Sequence, residues 1–195
     1  MGEVESTAER ILSEGIRCFA ERGYKAATTR FLAEAAGVNV ATLAYHFGDK
    51  EGLYRAALLR VREELLGYQP DLTLLAGGTP AERIERLARH VYAYLRQRPL
   101  ALRLLLRAEG DPAGAAARDH LLARAEAAWE LLGLPPRSSR GLELLALCEL
   151  FARFAARDPL ELRPYSEAAA PQAAAEEVLV QLSLSLLQPG DPKGS

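Results

Sequence analysis

The stretch "AAGVNVATLAYHFGDKEGLY", Ala35 to Tyr54, decides how this chain is read. Around it the sequence runs in Leu, Ala, Arg and Glu, residues that lose little on entering a helix. Within it Gly37, Asn39 and Gly48 interrupt the pattern at short intervals, and Thr42, Tyr45, His46 and Phe47 fall between the last two. Gly37 ends one short helix, about Thr29 to Ala36. Asn39 can cap a second, about Val40 to His46, which Gly48 stops; Asp49 caps a third that continues to about Tyr68. A short helix, a tight turn and another short helix are the parts of a helix-turn-helix. Helical spacing sets Val40, Leu43 and Phe47 near one face of the second helix. Ala41, Thr42 and Tyr45 project away from that face, with His46 at its edge. A helix that enters the major groove needs such a small or polar outer surface.

Before this stretch, Ser6 and Glu9 are spaced as a capping box for a helix from about Thr7 to Arg22. Its apolar residues Ile11, Leu12, Ile16, Phe19 and Ala20 recur at helical spacing, and Gly23 can close it. Thr28 is an N-cap for the helix that follows. Four helices thus occupy fewer than 70 residues. Beyond them, Thr79-Pro80-Ala81-Glu82 is a second capping box, with proline at the first helical position. It opens a helix to about Gln97. Further helices are expected from Pro99 through Arg107, about Ala113 to Leu132, about Arg140 to Ala156, and from near Pro171 to Leu187, with "RDPLELRPY" as a break. The chain divides into a helix-turn-helix domain, 1–48 with a linking helix to about 68, and a second domain, 69–195.

Composition agrees with an all-α protein. Val, Ile and Thr, the residues strands prefer, number only seven, three and six among 195. No apolar run is long enough to span a membrane, and the acidic, polar start "MGEVESTAER" leads to a cytoplasmic expectation. Cys18 and Cys148 lie far apart without metal spacing, so buried thiols are expected. His90 and His120 lack ligand-type neighbours, and neither a metal nor a cofactor is expected. No acid pair, nucleophile–base set or phosphate loop appears, which argues against an enzyme. The net charge is −2. From Lys25 to Arg62, however, six bases (Lys25, Arg30, Lys50, Arg55, Arg60, Arg62) face three acids (Glu34, Asp49, Glu51), a local surplus of three. That sign suits a polyanion.

Thr28-Thr29-Arg30, Leu32-Ala33, "AGVNVATL" and "YHFGDKEGLY" together resemble the DNA-binding signature of the tetracycline-repressor-like (TetR) family, over about Ser6 to Leu59. The resemblance implies an N-terminal three-helix unit with a linking helix, followed by a helical bundle for effector binding and dimerisation. It implies double-stranded DNA as partner, at a palindromic operator. Thr28, Thr29, Arg30, Asn39, Val40, Ala41, Thr42, Tyr45, His46 and Lys50 match DNA-contacting positions. Thr29 and Lys50 would hold phosphate. Arg30 would reach a base edge, Val40, Ala41 and Thr42 would read bases, and Tyr45 and His46 would contact backbone and sugar. Methyl groups on the reading face point to a thymine-bearing half-site, with Arg30 favouring a guanine. Two positions depart from the pattern: Ala44 stands where a tyrosine is usual, and Phe31 where a polar residue is expected.

The stretches "LELLALCELFARFAA" (142–156) and "VLVQLSLSLL" (178–187) are apolar over more than one face. A monomer's own core would explain them. The resemblance instead implies a homodimer bundle, with Leu144, Leu147, Phe151, Phe154, Val178, Leu182 and Leu186 as interface candidates. Tyr92, Leu95, Leu102, Arg103, Leu106 and Trp129 are candidates for the pocket of an unknown small-molecule effector. The expectation is a homodimeric one-component transcriptional regulator, most simply a repressor. Ala44 and the modest local charge favour a rival: a helical ligand-binding or scaffold protein whose helix-turn-helix no longer binds DNA.

Overall fold

The computed structural model describes residues 6–67, 72–108, 140–166 and 168–187, with residues 123 and 132. All regular structure among them is helical: α1 (Thr7–Ala26), α2 (Thr29–Ala35), α3 (Val40–Phe47), α4 (Lys50–Leu66), a 3-10 turn (Leu72–Leu75), α5 (Pro80–Arg96), α6 (Pro99–Arg107), α7 (Arg140–Ala155), α8 (Pro159–Leu162), a 3-10 turn (Arg163–Tyr165) and α9 (Pro171–Leu187). The expected helix from Ala113 to Leu132 and the pocket candidate Trp129 lie outside the described residues. No described helix is long and apolar enough to cross a membrane, and no described His, Cys, Asp and Glu side chains cluster as a metal site would need.

The chain forms two compact units. One is Met1–Gly67 with Leu100–Ala117, and the other Tyr68–Pro99 with Arg118–Ser195. In the first, α1 packs along α4 and both enclose α2 and α3. Ile11, Cys18, Phe19, Leu32, Leu43, Leu53, Leu58 and Val61 are buried there. Gly15 permits the close approach of the long helices, since a Cβ there would meet the Leu53 side chain at 3.2 Å. Phe19, Tyr24 and Tyr54 add an aromatic cluster, with Phe19 edge-on to Tyr54 at 5.1 Å and Tyr24 4.8 Å from Tyr54. Such contacts add to plain burial. From α6, Arg107 Nη2 donates to the Glu21 carbonyl at 3.3 Å.

Three local expectations are modified. Helical backbone does break at Gly23 (φ 77°), but a further turn through Ala26 continues beyond it. Ser6 Oγ accepts the Glu9 N–H at 3.1 Å, yet the Glu9 carboxylate pairs with Arg60 on α4 at 2.8 Å, so the first capping box is half formed. The break "RDPLELRPY" contains a helix, α8, opened by a full capping box between Asp158 and Glu161 with Pro159 at the first position. The Thr79–Glu82 box forms as expected.

In the second unit α5 packs against α9 and α7. Its centre is Tyr92, fully buried and edge-on to Phe151 at 6.2 Å. The Tyr92 hydroxyl donates to Gln172 Oε1 at 2.8 Å, and Gln172 Nε2 donates to the Arg157 carbonyl at 3.0 Å. A buried hydroxyl must find such a partner. Burial also pushes the Tyr92 phenol up to about 12. Arg89 on α5 reaches Glu85 at 2.9 Å and, on α9, Glu176 at 3.2 Å and Glu177 at 2.8 Å.

Candidate nucleic-acid interface

Four local devices fix α2 and α3. Thr28 Oγ1 accepts the Phe31 N–H at 3.2 Å and so starts α2. Gly37 takes φ 65°, a left-handed conformation that a side chain resists, and turns the chain. Asn39 Oδ1 accepts the Thr42 N–H at 2.8 Å and the Thr42 hydroxyl at 3.0 Å, starting α3. Gly48, at φ 78°, ends it. Asp49 Oδ1 then accepts the Gly52 N–H at 2.8 Å and opens α4. From α1, Arg10 Nε donates to the Ala36 carbonyl at 3.1 Å, which ties down the end of α2. Helix ends leave backbone groups unpaired, and here short side chains satisfy them within an 8-residue helix.

Only Leu43 of α3 is fully buried; it anchors the helix on the unit's core. Phe47 is half-buried. Val40, expected near the inner face, is 45% exposed. Ala41, Ala44, Tyr45 and His46 are exposed and Thr42 is half-buried. Tyr45, at 85% exposure, contacts the His46 ring edge-on at 5.1 Å. An 85% exposed tyrosine is a poor core residue and a good contact residue. Thr28, Arg30 and Asn39 are also exposed and Thr29 is half-buried. None of the candidate residues on α2, α3 or at their caps is buried.

Two residues acquire roles that spacing alone does not give. Lys50 Nζ donates to the Tyr24 carbonyl at 2.8 Å and lies 4.2 Å from the centre of the Tyr24 ring. Its ammonium is thus held in place by the end of α1, beside the first turn of α4. Arg22 places its guanidinium 4.0 Å over the Phe31 ring. This accounts for Phe31: it is half-buried and serves as an apolar platform under a cation. Tyr24 and Arg22 were not legible as site residues, because each acts across a loop.

The remaining candidates are distributed over both units. Tyr92 and Leu95 belong to the second, and Leu102, Arg103 and Leu106 to the first. Tyr92 and Leu102 are buried, while Leu95, Arg103 and Leu106 are half-buried. Of the dimer candidates, Leu144, Leu147 and Phe151 are each 6% exposed within the chain's own fold. Phe154 and Leu186 are half-buried, and Val178 and Leu182 are 51% and 37% exposed. Leu142 (73%) and Leu145 (38%) on α7 are exposed as well.

A short helix seated on a buried core, a left-handed glycine turn and an exposed second helix define a helix-turn-helix. Residues 11–57 match the family model of bacterial regulatory proteins, tetR family. The HTH-type transcriptional repressor AcnR of Corynebacterium glutamicum is 47% identical over 51 residues, 26% of this chain and 27% of that protein. The HTH-type transcriptional repressor KstR of Mycolicibacterium smegmatis is 32% identical over 115 residues, 58% of this chain and 56% of that protein. A tetR-family bacterial regulatory protein from Rhodococcus RHA1 shares the fold with a TM-score of 0.70 at 19% identity, over 96% of this chain and all of that one. The match to that family covers the helix-turn-helix and its flanking helices, and over the rest of the chain the likeness to solved structures is one of fold. These alignments span between about a quarter and just over half of the two repressors' lengths.

Proposed function

We propose that this protein is a homodimeric, one-component transcriptional regulator, and a repressor, that binds a palindromic operator and is released by a small-molecule effector. One observation carries the reading: α3 exposes Val40, Ala41, Ala44, Tyr45 and His46 together while the single buried residue Leu43 fixes its pose. A stable helix has no folding reason to expose both a valine and a tyrosine. The major groove, at about 12 Å, admits such a helix. Lys50 and Arg30 flank it with the charge that phosphate and guanine attract.

One short helix covers few base pairs, so two copies related by a two-fold axis read a two-fold operator. The exposed Leu142 and Leu145 of α7 and Val178 and Leu182 of α9 support the second unit as the place where copies meet. The effector would bind better to the conformation whose two reading heads are wrongly spaced. That difference in affinity is what releases DNA.

Selection from random duplex DNA tests the reading. An enriched inverted repeat, lost when Tyr45 and Lys50 are both changed to Ala, is the expected result. No enrichment from a folded dimer would overturn it in favour of a helical ligand-binding or scaffold protein.

A further inference from the structure

We propose that α3 reads its half-site through the C5-methyl groups of pyrimidines and not through hydrogen bonds to base edges. Thymine and 5-methylcytosine are then equivalent at the positions it covers. The proposal rests on the DNA-binding reading above and specifies the chemistry of that same surface.

The outer face of α3 is short of hydrogen-bonding groups. Val40, Ala41 and Ala44 are exposed and carry only hydrocarbon. Thr42 has a hydroxyl, but its proton is donated to Asn39 Oδ1 at 3.0 Å. The same oxygen already accepts the Thr42 N–H at 2.8 Å, so the cap locks both side chains together. Thr42 therefore has no proton to offer a guanine N7 or O6 or a thymine O4, and Asn39 has spent its acceptor on α3 itself. The carboxamide nitrogen of Asn39 and the guanidinium of Arg30 are the donors left at this end of the surface. Tyr45 and His46 stand at the other end, in contact with each other.

In the major groove, guanine offers acceptors, cytosine a donor, adenine one of each, and thymine an acceptor and a methyl group. A hydrocarbon face meets all of these alike except the methyl, which it can bury. The methyl sits on C5, and 5-methylcytosine carries it at the same place. Burial of one methyl-sized group corresponds to about a four-fold gain in affinity, and a symmetric pair of half-sites to about fifteen-fold. Reading of this kind is modest per position and tolerant of the partner purine.

The test uses the full-length protein and the inverted repeat obtained by selection. Each thymine is replaced by deoxyuridine in both half-sites, which removes the methyl and keeps every hydrogen-bonding group. At positions sensitive to that change, the T·A pair is then replaced by C·G and by 5-methyl-C·G. The expected result is a loss of about fifteen-fold with deoxyuridine at one or two positions. C·G should cost at least as much, and 5-methyl-C·G should return affinity to within about two-fold of thymine. Val40→Ala should shrink the deoxyuridine penalty at one of these positions only. Uniform tolerance of deoxyuridine, or 5-methylcytosine no better than cytosine, overturns the proposal while binding to the selected repeat still stands. Failure to select any repeat removes the DNA-binding reading and this proposal with it.

Discussion

Gly52, in the first turn of α4, lies against the backbone carbonyl of Phe47, the last residue of α3, with no space between them for a Cβ. The start of α4 is thus packed directly against the end of α3. In an ordinary helix Gly→Ala gains about 0.5–1 kcal/mol from reduced unfolded-chain entropy. Here the added carbon must displace backbone, and overpacking costs about 1–3 kcal/mol. Gly52→Ala should therefore destabilise the protein, lowering Tm by a few degrees at about 2–4 °C per kcal/mol for a chain of this size. Specific DNA affinity should fall by more than the stability loss explains, because α3 itself has to move. An unchanged or raised Tm in a thermal melt would show that α3 yields freely.

Asn39 separates folding from recognition. Its side-chain oxygen caps α3, so Asn39→Ala should lose about 1 kcal/mol in urea denaturation. Aspartate caps equally well and favours the positive end of the helix, so Asn39→Asp should keep wild-type stability. It also sets a negative charge on the surface proposed to face phosphate, and binding by fluorescence anisotropy should weaken at least about ten-fold, the effect of roughly 1.4 kcal/mol of repulsion. If both variants bind DNA in proportion to their stability, this end of α3 does not approach DNA.

Lys50 is held by Tyr24 within the chain's own fold. An ordered ammonium loses little side-chain freedom on meeting phosphate, which costs an unrestrained lysine more. Lys50→Ala should reduce the slope of log affinity against log salt by about 0.9 per subunit. Tyr24→Leu should weaken binding while leaving that slope unchanged, since the charge remains but its position is lost. A slope identical to wild type in Lys50→Ala would place this lysine away from the backbone.

The parts of this fold that were readable in sequence share a physical cause. Where a cap acts within four residues, as at Thr28, Asn39, Asp49 and Thr79, residue type and spacing determine the bond, and each forms. The same rule holds at Asp158-Pro159-Leu160-Glu161, but Pro159 and Pro164 make the segment resemble a break in sequence, which hides α8. Contacts across a loop left no such trace. Nothing local says that Glu9 prefers Arg60 over its own helix start, or that Arg22 covers Phe31. The apolar runs of α7 and α9 were legible as two-faced, whereas which leucines face inward depends on where α5 lies. Leu144 and Leu147 are buried while Leu142 and Leu145 are exposed, a division set by packing in three dimensions.

Arg89 joins three carboxylates on two helices of the second unit, and the pH response of that junction has a definite sign. The Glu177 carboxyl is held below its ordinary value of 4.5 by the Gln181 amide and by Arg89. A carboxyl lowered in the folded state adds stability above its unfolded value and loses it as pH falls through the folded one. Isolated exposed pairs contribute little, but a shared guanidinium forms a network. Arg89→Met should therefore be less stable than wild type at neutral pH, with the gap closing below about pH 4.5. A gap that persists under acid would mean that Arg89 acts through the packing of its hydrocarbon stem.

Leu142 on α7 and Val178 on α9 are 73% and 51% exposed, and each neighbours core positions such as Leu144 and Leu179 that are buried. If the protein were monomeric, a charge at either exposed site would be nearly silent, within about 0.5 kcal/mol. At a dimer interface the same charge would be desolvated without a partner, at a cost of several kcal/mol. On the proposed dimer, Leu142→Glu with Val178→Glu should therefore halve the mass seen in sedimentation while preserving the helical circular dichroism of the subunit. Binding to a full inverted repeat should fall far more than binding to a half-site, since coupling between two reading heads is what the dimer adds. Leu144→Ala is the contrasting change: it opens a cavity in the subunit and should cost about 2–5 kcal/mol of stability. A double glutamate variant that still sediments as a dimer would direct the search for the interface away from these faces of α7 and α9.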